Sequence, residues 1–431
     1  MKSPVWHRFI VSFWVITTAH EMRAAADPNP TAPKMIYVSP AGNDHATGTS
    51  LAEALKTSKA AALKAEPGTI IRFDAGTYQP FKIDGKKGAI GQTIVIETVP
   101  GKEQQVVFST GQQEAGIAIS IENCSYVAIR NLKVTNSQKG IDIVSCSNCI
   151  IQNNVIEDLG QEAIHVGRAH GNGAGPKEFN GPPSEQVQVI GNSVRGTGKW
   201  KAEFGEGIYI GTGAFLGDDT HHILIAGNTL TDISAEGVEL KPGTHDITVR
   251  GNSISNTHHE YNAAITVSVE GNAESDGNFL IEDNLIWDIK KLKYGVAGIG
   301  IGHGNTVIRN NIIWSVEGGV GIRLYETFAE PHSLSVLIES NTIWCQGPDK
   351  NIVLYGGSGG GSPSGLKPKV KVKGTYTMDG SADSHAARPG TFVGPLTSDA
   401  DSGKGPGSGF QSKGRGQWGA NFAKIGLLLH K

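Results

Sequence analysis

Three glutamates stand at one offset in three copies of a short pattern. The copies are Gln161-Glu162-Ala163-Ile164-His165-Val166-Gly167, Gly205-Glu206-Gly207-Ile208-Tyr209-Ile210-Gly211 and Ala235-Glu236-Gly237-Val238-Glu239-Leu240-Lys241. In each, an aliphatic-x-aliphatic pair follows the carboxylate by two residues, the alternation of a strand with one face in a core. His165, Tyr209 and Glu239 then face solvent while their neighbours face inward. Carboxylates, an imidazole, a phenol and a lysine are groups that bind hard cations and move protons. If the copies stack as rungs about 4.8 Å apart, side chains scattered in sequence become columns.

Carried through the repeats, the outward column reads Ala118, Asp142, His165, Tyr209, Glu239, Thr266, Gly300, Arg323, Val353. Two residues earlier stand Gly116, Gly140, Ala163, Gly207, Gly237, Ala264, Gly298 and Gly321, which predict a flat floor for a long ligand. Two residues later stand Ser120, Val144, Gly167, Gly211, Lys241, Ser268, Gly302, Tyr325 and Tyr355, with Lys241 the base among them. Glu162, Glu206 and Glu236 share the strand start with Lys139 one rung earlier. Carboxylates stacked this closely repel unless a cation, a proton or a lysine intervenes. Oxygen donors from Glu203, Glu206 and Glu236 suit Ca2+; pairing with Lys139 and turn amides is the alternative. Arg323, three rungs from Lys241 and so about 14 Å away, suits binding of an acidic ligand, as do His165 and Tyr325.

The elements that must hold these columns are repeats marked by an aliphatic-x-x-Asn pattern at Asn154, Asn192, Asn228, Asn252, Asn284, Asn311 and Asn341, with Leu132 in the slot before them. Stacked turn asparagines hydrogen-bond from rung to rung and fix register. The longest intervals put excess chain at Arg168 to Glu185, Gly196 to Phe204 and Thr212 to His222, which bracket the central pattern and predict the walls of a cleft. Residues 1–26 read as a secretory signal, with Lys2, His7 and Arg8 before an apolar run from Phe9 to Ala19 and Ala24-Ala25-Ala26 before Asp27; the run is too short to span a bilayer. Residues 27–93 read as strand, capping helix (Leu51 to Lys64) and strand, residues 94–355 as the solenoid, and residues 356–431 as a Gly/Ser-rich breaker and irregular tail. The expected fold class is all-β, a right-handed parallel β-helix with an N-terminal capping helix.

A net charge of −3 over 431 residues, 58 glycines and 7% aromatics fit a turn-rich β protein and exclude a nucleic-acid partner held by bulk charge. Four cysteines make neither a disulfide scaffold nor a zinc motif. Cys124 and Cys146 stack on neighbouring rungs, at a spacing open to a bridge or to an unbonded buried column.

The opening, Met35-Ile36-Tyr37-Val38-Ser39-Pro40 with its helix, resembles the start of many secreted parallel β-helix proteins, pectate and alginate lyases among them. Gly205-Glu206-Gly207-Ile208-Tyr209-Ile210-Gly211-Thr212, followed a rung later by Glu236, Lys241 and Arg250-Gly251-Asn252, resembles the central rungs of family 6 polysaccharide lyases. That resemblance implies a calcium-binding role for Glu236 and removal of a C5 proton by Lys241, on alginate or on chondroitin and dermatan sulfate. Three positions depart from the family pattern: Ser234 replaces a second calcium glutamate, Glu203 an asparagine ligand, and Ser268 the catalytic arginine.

Eliminating a 4-linked uronic acid requires neutralising its carboxylate and removing a weakly acidic proton beside it. Calcium at Glu203, Glu206 and Glu236 meets the first need. Lys241 meets the second, with Glu239 beside it and Tyr209 placed to protonate the leaving oxygen. The expected catalytic set is thus Lys241, Tyr209 and Glu239, the partner an acidic polysaccharide, and the protein a secreted or periplasmic monomer with neither nucleic-acid nor membrane partner. Other readings remain: a hydrolase using Glu206 and Glu236, or using Gly217-Asp218-Asp219 and Gly302-His303-Gly304 in the manner of pectin-hydrolysing glycosidases; a C5 epimerase sharing the lyase's base; and a non-catalytic solenoid that holds a sugar chain.

Overall fold

The computed structural model describes residues 33–170, 179–213, 218–257, 263–268, 277–290, 297–302, 304–316, 319–324, 335–344, 352–354 and 369–377. The N-terminal segment read as a secretory signal, Tyr325, Tyr355, Cys345, His303 and the Gly/Ser-rich breaker lie outside them. The described strands form three parallel sheets of 12, 11 and 10 strands. The chain visits the sheets in turn, as in Gln188–Ile190, Ser193–Arg195, Ile208–Ile210 and then His221–Ala226 back on the first sheet. This is a right-handed parallel β-helix.

Aliphatic stacks fill the interior. In the third sheet Ile119, Ile141, Ile164, Ile208, Val238, Ile265, Ile299, Ile322 and Ile352 lie in one register column, and all are buried. Each such side chain withdrawn from water stabilises the fold by about 1.5–3 kcal/mol before entropy is counted. At the N-terminal end the filling is aromatic: Phe73 packs edge-on against Tyr78 and Phe108 at 4.9 and 5.0 Å. The helix there is shorter than the apolar spacing predicts, covering Ser58–Lys64, because Thr57 caps it by accepting from the Ala60 amide. Ala61, Ala62 and Ala65 face the core; Leu51 and Leu63, expected on that face, are exposed.

The corner between the first and second sheets sets the register. All seven repeat asparagines are buried there, and each of the first six donates an Nδ2–H to the Oδ1 of the next at 2.9–3.0 Å. That same Oδ1 also accepts the preceding asparagine's backbone N–H. The second Nδ2–H reaches a strand carbonyl on the rung before, such as Ile225 O from Asn252 at 3.0 Å. Leu132 N begins the ladder and Thr375 Oγ1 ends it. Immediately before each ladder position stands a left-handed residue: Asn131, Asn153, Gly191, Gly227, Gly251, Asp283, Asn310 and Ser340, with φ of 54–64°. Glycine, asparagine and aspartate tolerate that conformation best, which explains the composition of the column.

Three expectations are corrected by the structure. Asp142 pairs with Ser120, so Ser120 rather than Ala118 stands in the outward column, with Lys82 one rung before it; from Asp142 to Val353 the column holds. The small residues at Gly140, Ala163, Gly207, Gly237, Ala264, Gly298 and Gly321 form no exposed floor. A Cβ at Gly207 would lie 2.6 Å from Gly237 O, and one at Gly237 or Gly298 would strike Ile254 or Ile313 of the second sheet. The column is small because two sheets close on it. The lysine-rich segment Lys369–Lys373, within the stretch expected to be an irregular tail, pairs in regular parallel register with Ser335–Glu339.

The ladder generates a test. Asn252→Ala removes two donated hydrogen bonds and strips the acceptor from the Asn228 amides, so the urea midpoint should fall by an amount corresponding to about 2–4 kcal/mol.

Candidate functional site

A cleft of about 240 Å³ opens over the third sheet, lined by Lys139, Gln161, Glu162, His165, His170, Phe204, Glu206, Tyr209, Thr212 and Gly213. Sheet residues supply its base and three loops its walls, the same three loops that the long repeat intervals predict. The loop around His170 is tied down where Ala169 N donates to Ser145 Oγ at 2.9 Å and Arg168 Nε to Gly181 O at 2.7 Å. The loop ending at Phe204 folds back on the preceding rung, Lys199 N donating to Leu159 O and Lys201 N to Gly160 O. Ser234 anchors the same loop, its hydroxyl donating to Ala202 O at 2.9 Å. A Cβ at Gly198 or Gly205 would collide with that hydroxyl. Ser234 is thus committed to the wall.

The third wall hangs on Asp218, which is fully buried. Its carboxylate accepts from the Thr212 and Thr220 hydroxyls, from Thr220 N at 3.1 Å and from Arg168 N at 3.1 Å, joining two loops. An aspartate so engaged is a staple, which sets aside its reading as a glycosidase carboxylate. Gly213, at the tip of this wall, leaves room for the catalytic candidates: a Cβ there would lie 2.6 Å from the Tyr209 hydroxyl and 3.8 Å from Lys241 Cε.

Along the base, His165 Nδ1 lies 2.6 Å from Asp142 Oδ1 and Nε2 lies 3.0 Å from Gly211 O. Both ring nitrogens face acceptors, an arrangement that suits the imidazolium. Burial opposes the charge, but Asp142 and then Glu162 outweigh burial and Lys139, and the His165 pKa is raised. Burial likewise pushes the Asp142 carboxyl up, yet His165 and Lys139 hold it below the ordinary value. Lys139 pairs with Glu162 at 2.5 Å, which answers how one of the stacked glutamates is neutralised.

Glu206, Glu236 and Glu239 are all buried and offer carboxylate oxygens that lie within 4.8 Å of one another. Burial, then Glu236 and Glu239, push the Glu206 carboxyl well above the ordinary range. Lys241 meets the trio from one side, Nζ 2.7 Å from Glu239 Oε1, and sits 5.3 Å from the centre of the Tyr209 ring. Tyr209 in turn is 5.3 Å from the His165 ring. An all-oxygen, buried, anionic donor set fits a hard cation such as calcium.

The structure therefore brings together His165, Tyr209, Glu206, Glu236, Glu239 and Lys241. It does not bring in Glu203, which stands exposed in the short helix Ala202–Phe204; Glu239, reached from the next strand, completes the trio in its place. Arg323 stays three strands from Glu239, beyond Thr266 and Gly300, and does not line the cleft. Ser268, at the family's arginine position, is buried one rung past Lys241. Asp142 was visible as His165's neighbour in the outward column, and that adjacency was the signal for their pairing. His170, Thr212 and Gly213 reach the cleft from loops, where strand parity has no force. Cys124, Cys146 and Cys149 are buried and unbridged, resolving the cysteine column as unbonded.

Residues 115–312 and, overlapping them, 181–360 match the family described as right handed beta helix region. Together these exceed half of the chain, and the protein belongs to that family. Among solved structures it is similar to an alginate lyase from Paenibacillus sp. str. FPU-7, at 18% identity and TM-score 0.54 over 70% of this chain and 96% of that one. It is also similar to pectate lyase Pel9A, at 15% identity and TM-score 0.54 over 84% of each chain. A GH136 lacto-N-biosidase from Eubacterium ramulus is similar at 15% identity and TM-score 0.53, over 80% of this chain and 67% of that one. Identities this low show a shared fold. A search of curated proteins finds no match in sequence.

The imidazole pair carries a pH signature. Because the folded His165 pKa is raised, its pairing stabilises the protein fully below about pH 6.5 and loses that effect as pH rises through the raised value. In Asp142→Asn the His165 titration followed by NMR should move to lower pH. The stability gap to the parent should be widest between about pH 4 and 6.5 and should narrow above.

Proposed function

We propose that the protein is an exported polysaccharide lyase that cleaves an acidic, uronic-acid-containing chain by β-elimination. The observation that carries this reading is the convergence of Tyr209 and Lys241 on Gly213 at the edge of the cleft, beside His165 and above the glutamate trio. Lys241, in its amine form, takes the C5 proton of the uronate. The electron pair forms the C4–C5 double bond, the C4–O4 bond breaks, and the Tyr209 phenol gives its proton to the departing oxygen. The proton gained by Lys241 then restores the phenol, so each turnover leaves both groups as they began.

His165 and Lys139 bring positive charge to the cleft, but Asp142 and Glu162 already offset it, so the substrate carboxylate, whose excess charge must be neutralised for the C5 proton to leave, calls for a further cation. Calcium, held by Glu206, Glu236 and Glu239, would supply further charge of that sign. The wall carries exposed aromatics beside a cation: Trp200 is 41% and Phe204 48% exposed, with Lys201 Nζ 4.5 Å from the Trp200 ring and 5.7 Å from that of Phe204. Rings and an ammonium so placed suit the apolar faces and acid groups of sugar units.

One observation favours hydrolysis instead: the spacing of the trio is close to the roughly 5 Å of a retaining carboxylate pair. Against it, the three carboxylates are all buried and converge on one another within 4.8 Å, whereas a retaining pair must flank the scissile bond.

Incubation with alginate, pectate and glycosaminoglycans should yield ultraviolet absorbance of an unsaturated product. New reducing ends without absorbance would mean hydrolysis; altered uronate composition without cleavage would mean epimerisation. Lys241→Ala and Tyr209→Phe should each lower kcat by about 10²–10⁴-fold with the far-ultraviolet circular dichroism unchanged, and full activity in Lys241→Ala would defeat the assignment. Calcium should raise the melting temperature of the parent and leave Glu236→Gln unmoved. Phe204→Ala should raise KM several-fold and change kcat little.

A further inference from the structure

A second constellation lies away from the sheet that carries the cleft, at the corner where the chain passes from the third sheet to the first. Glu185, His221 and His245 occupy one register position on three successive rungs. The two imidazoles stack with ring centres 4.7 Å apart and planes within 4°. Asp219, held by a left-handed turn at φ 63°, swings its carboxylate to 3.1 Å from His245 Nε2. Ligand atoms of Asp219, His221 and His245 all lie within 4.8 Å of one another.

We propose that Asp219, His221 and His245 form a binding site for a zinc-class divalent transition metal, with Glu185 the fourth donor. The orienting contacts are those such a site requires. Asp246 Oδ2 lies 2.7 Å from His245 Nδ1, and the Asp219 carbonyl lies 2.7 Å from His221 Nδ1. Each places the proton on Nδ1 and leaves the Nε2 lone pair facing the cluster. His221 Nε2 is 3.4 Å from Glu185 Oε2. Bonds of about 2.0 Å in a tetrahedron separate neighbouring donors by about 3.3 Å. The two observed donor pairs, 3.1 and 3.4 Å, straddle that edge; closing the shell takes a tilt of the two stacked rings, so that their Nε2 lone pairs converge, with Glu185 following His221 inward.

The charge balance points the same way. Three carboxylates surround two imidazoles, an excess of negative charge that a dication relieves. Two nitrogen and two oxygen donors select zinc, nickel, cobalt or copper over calcium, which takes oxygen alone. Asp219 is exposed and the histidines half-buried, so a metal ion can enter from solvent. Asp219 also directly follows Asp218, the staple of the third cleft wall, so metal bound here braces the segment that ends at Thr212 and Gly213.

The test uses the full chain, untagged and stripped by chelator, titrated with Zn2+ by calorimetry and with Co2+ by visible absorption. Expected are one equivalent of Zn2+ bound in the micromolar range or tighter and a cobalt d–d band of tetrahedral strength. Both should be lost, with affinity falling at least 100-fold, in His221→Ala/His245→Ala, while Glu236→Gln retains them. Asp219→Asn, a smaller change, should weaken Zn2+ by about 10-fold or more, which keeps the test valid if the double variant folds poorly. Equal Zn2+ affinity in the parent and in both the double and Asp219→Asn variants, or no binding by the parent below millimolar Zn2+, would overturn the proposal.

Discussion

Everything distinctive about this protein depends on registration between rungs. Parallel backbone pairing alone permits slippage, and a slip of one residue would exchange the inward and outward faces of every strand. The asparagine ladder removes that freedom. Each side-chain amide donates to the next rung while binding the rung before through both its nitrogen and its oxygen, and each sits just after a left-handed residue that few side chains tolerate. A shifted rung would leave several buried amide groups without partners, a penalty larger than the total stability margin of many domains. Held this way, Asp142, His165, Tyr209 and Glu239 come from four separate turns of the chain to stand side by side.

The cleft places groups where a fold gains little from them. A buried trio of carboxylates, an imidazole between a carboxylate and a carbonyl, and a lysine drawn down to Glu239 all surrender hydration. Paired charges in such surroundings rarely stabilise a protein more than well-packed apolar residues would. Their concentration on one strip, between walls pinned by Ser234 and Asp218, is better understood as preparation for a charged ligand than as support for the solenoid. The aliphatic stacks behind the strip supply the rigidity that this arrangement needs.

Much of this was legible from the letters, and the parts that were not share a cause. Strand parity and the repeat offset located the column from Asp142 to Val353, because a period of two leaves no ambiguity once an aliphatic pair marks the core. The ladder followed from spacing for the same reason. Parity could not say that Ser120 rather than Ala118 stands beside Asp142, since Ile117, Ile119 and Ile121 offer two registers of the same parity. It also misread the column of Gly140, Gly207 and Gly237: small residues suit an exposed floor and a crowded corner equally, and only the approach of Ile254 and Ile313 distinguishes the two. Glu203 was assigned by proximity to Glu206 in sequence, whereas Glu239 reaches the trio from the next strand. Groups on the loops, His170 and Thr212 among them, were beyond any periodic argument, because loops obey hydrogen bonds such as those to Asp218 and not a repeat.

The crowded corner has an evolutionary corollary. At Gly207, Gly237 and Gly298 not even a methyl group fits without displacing a neighbour, so those sites offer natural variation almost no latitude. Their outward neighbours two residues on obey no such limit, and neither do the loops. Divergence toward new ligands would therefore be written in the outward strip and the walls, one rung at a time, while the corner keeps the same diminutive residues.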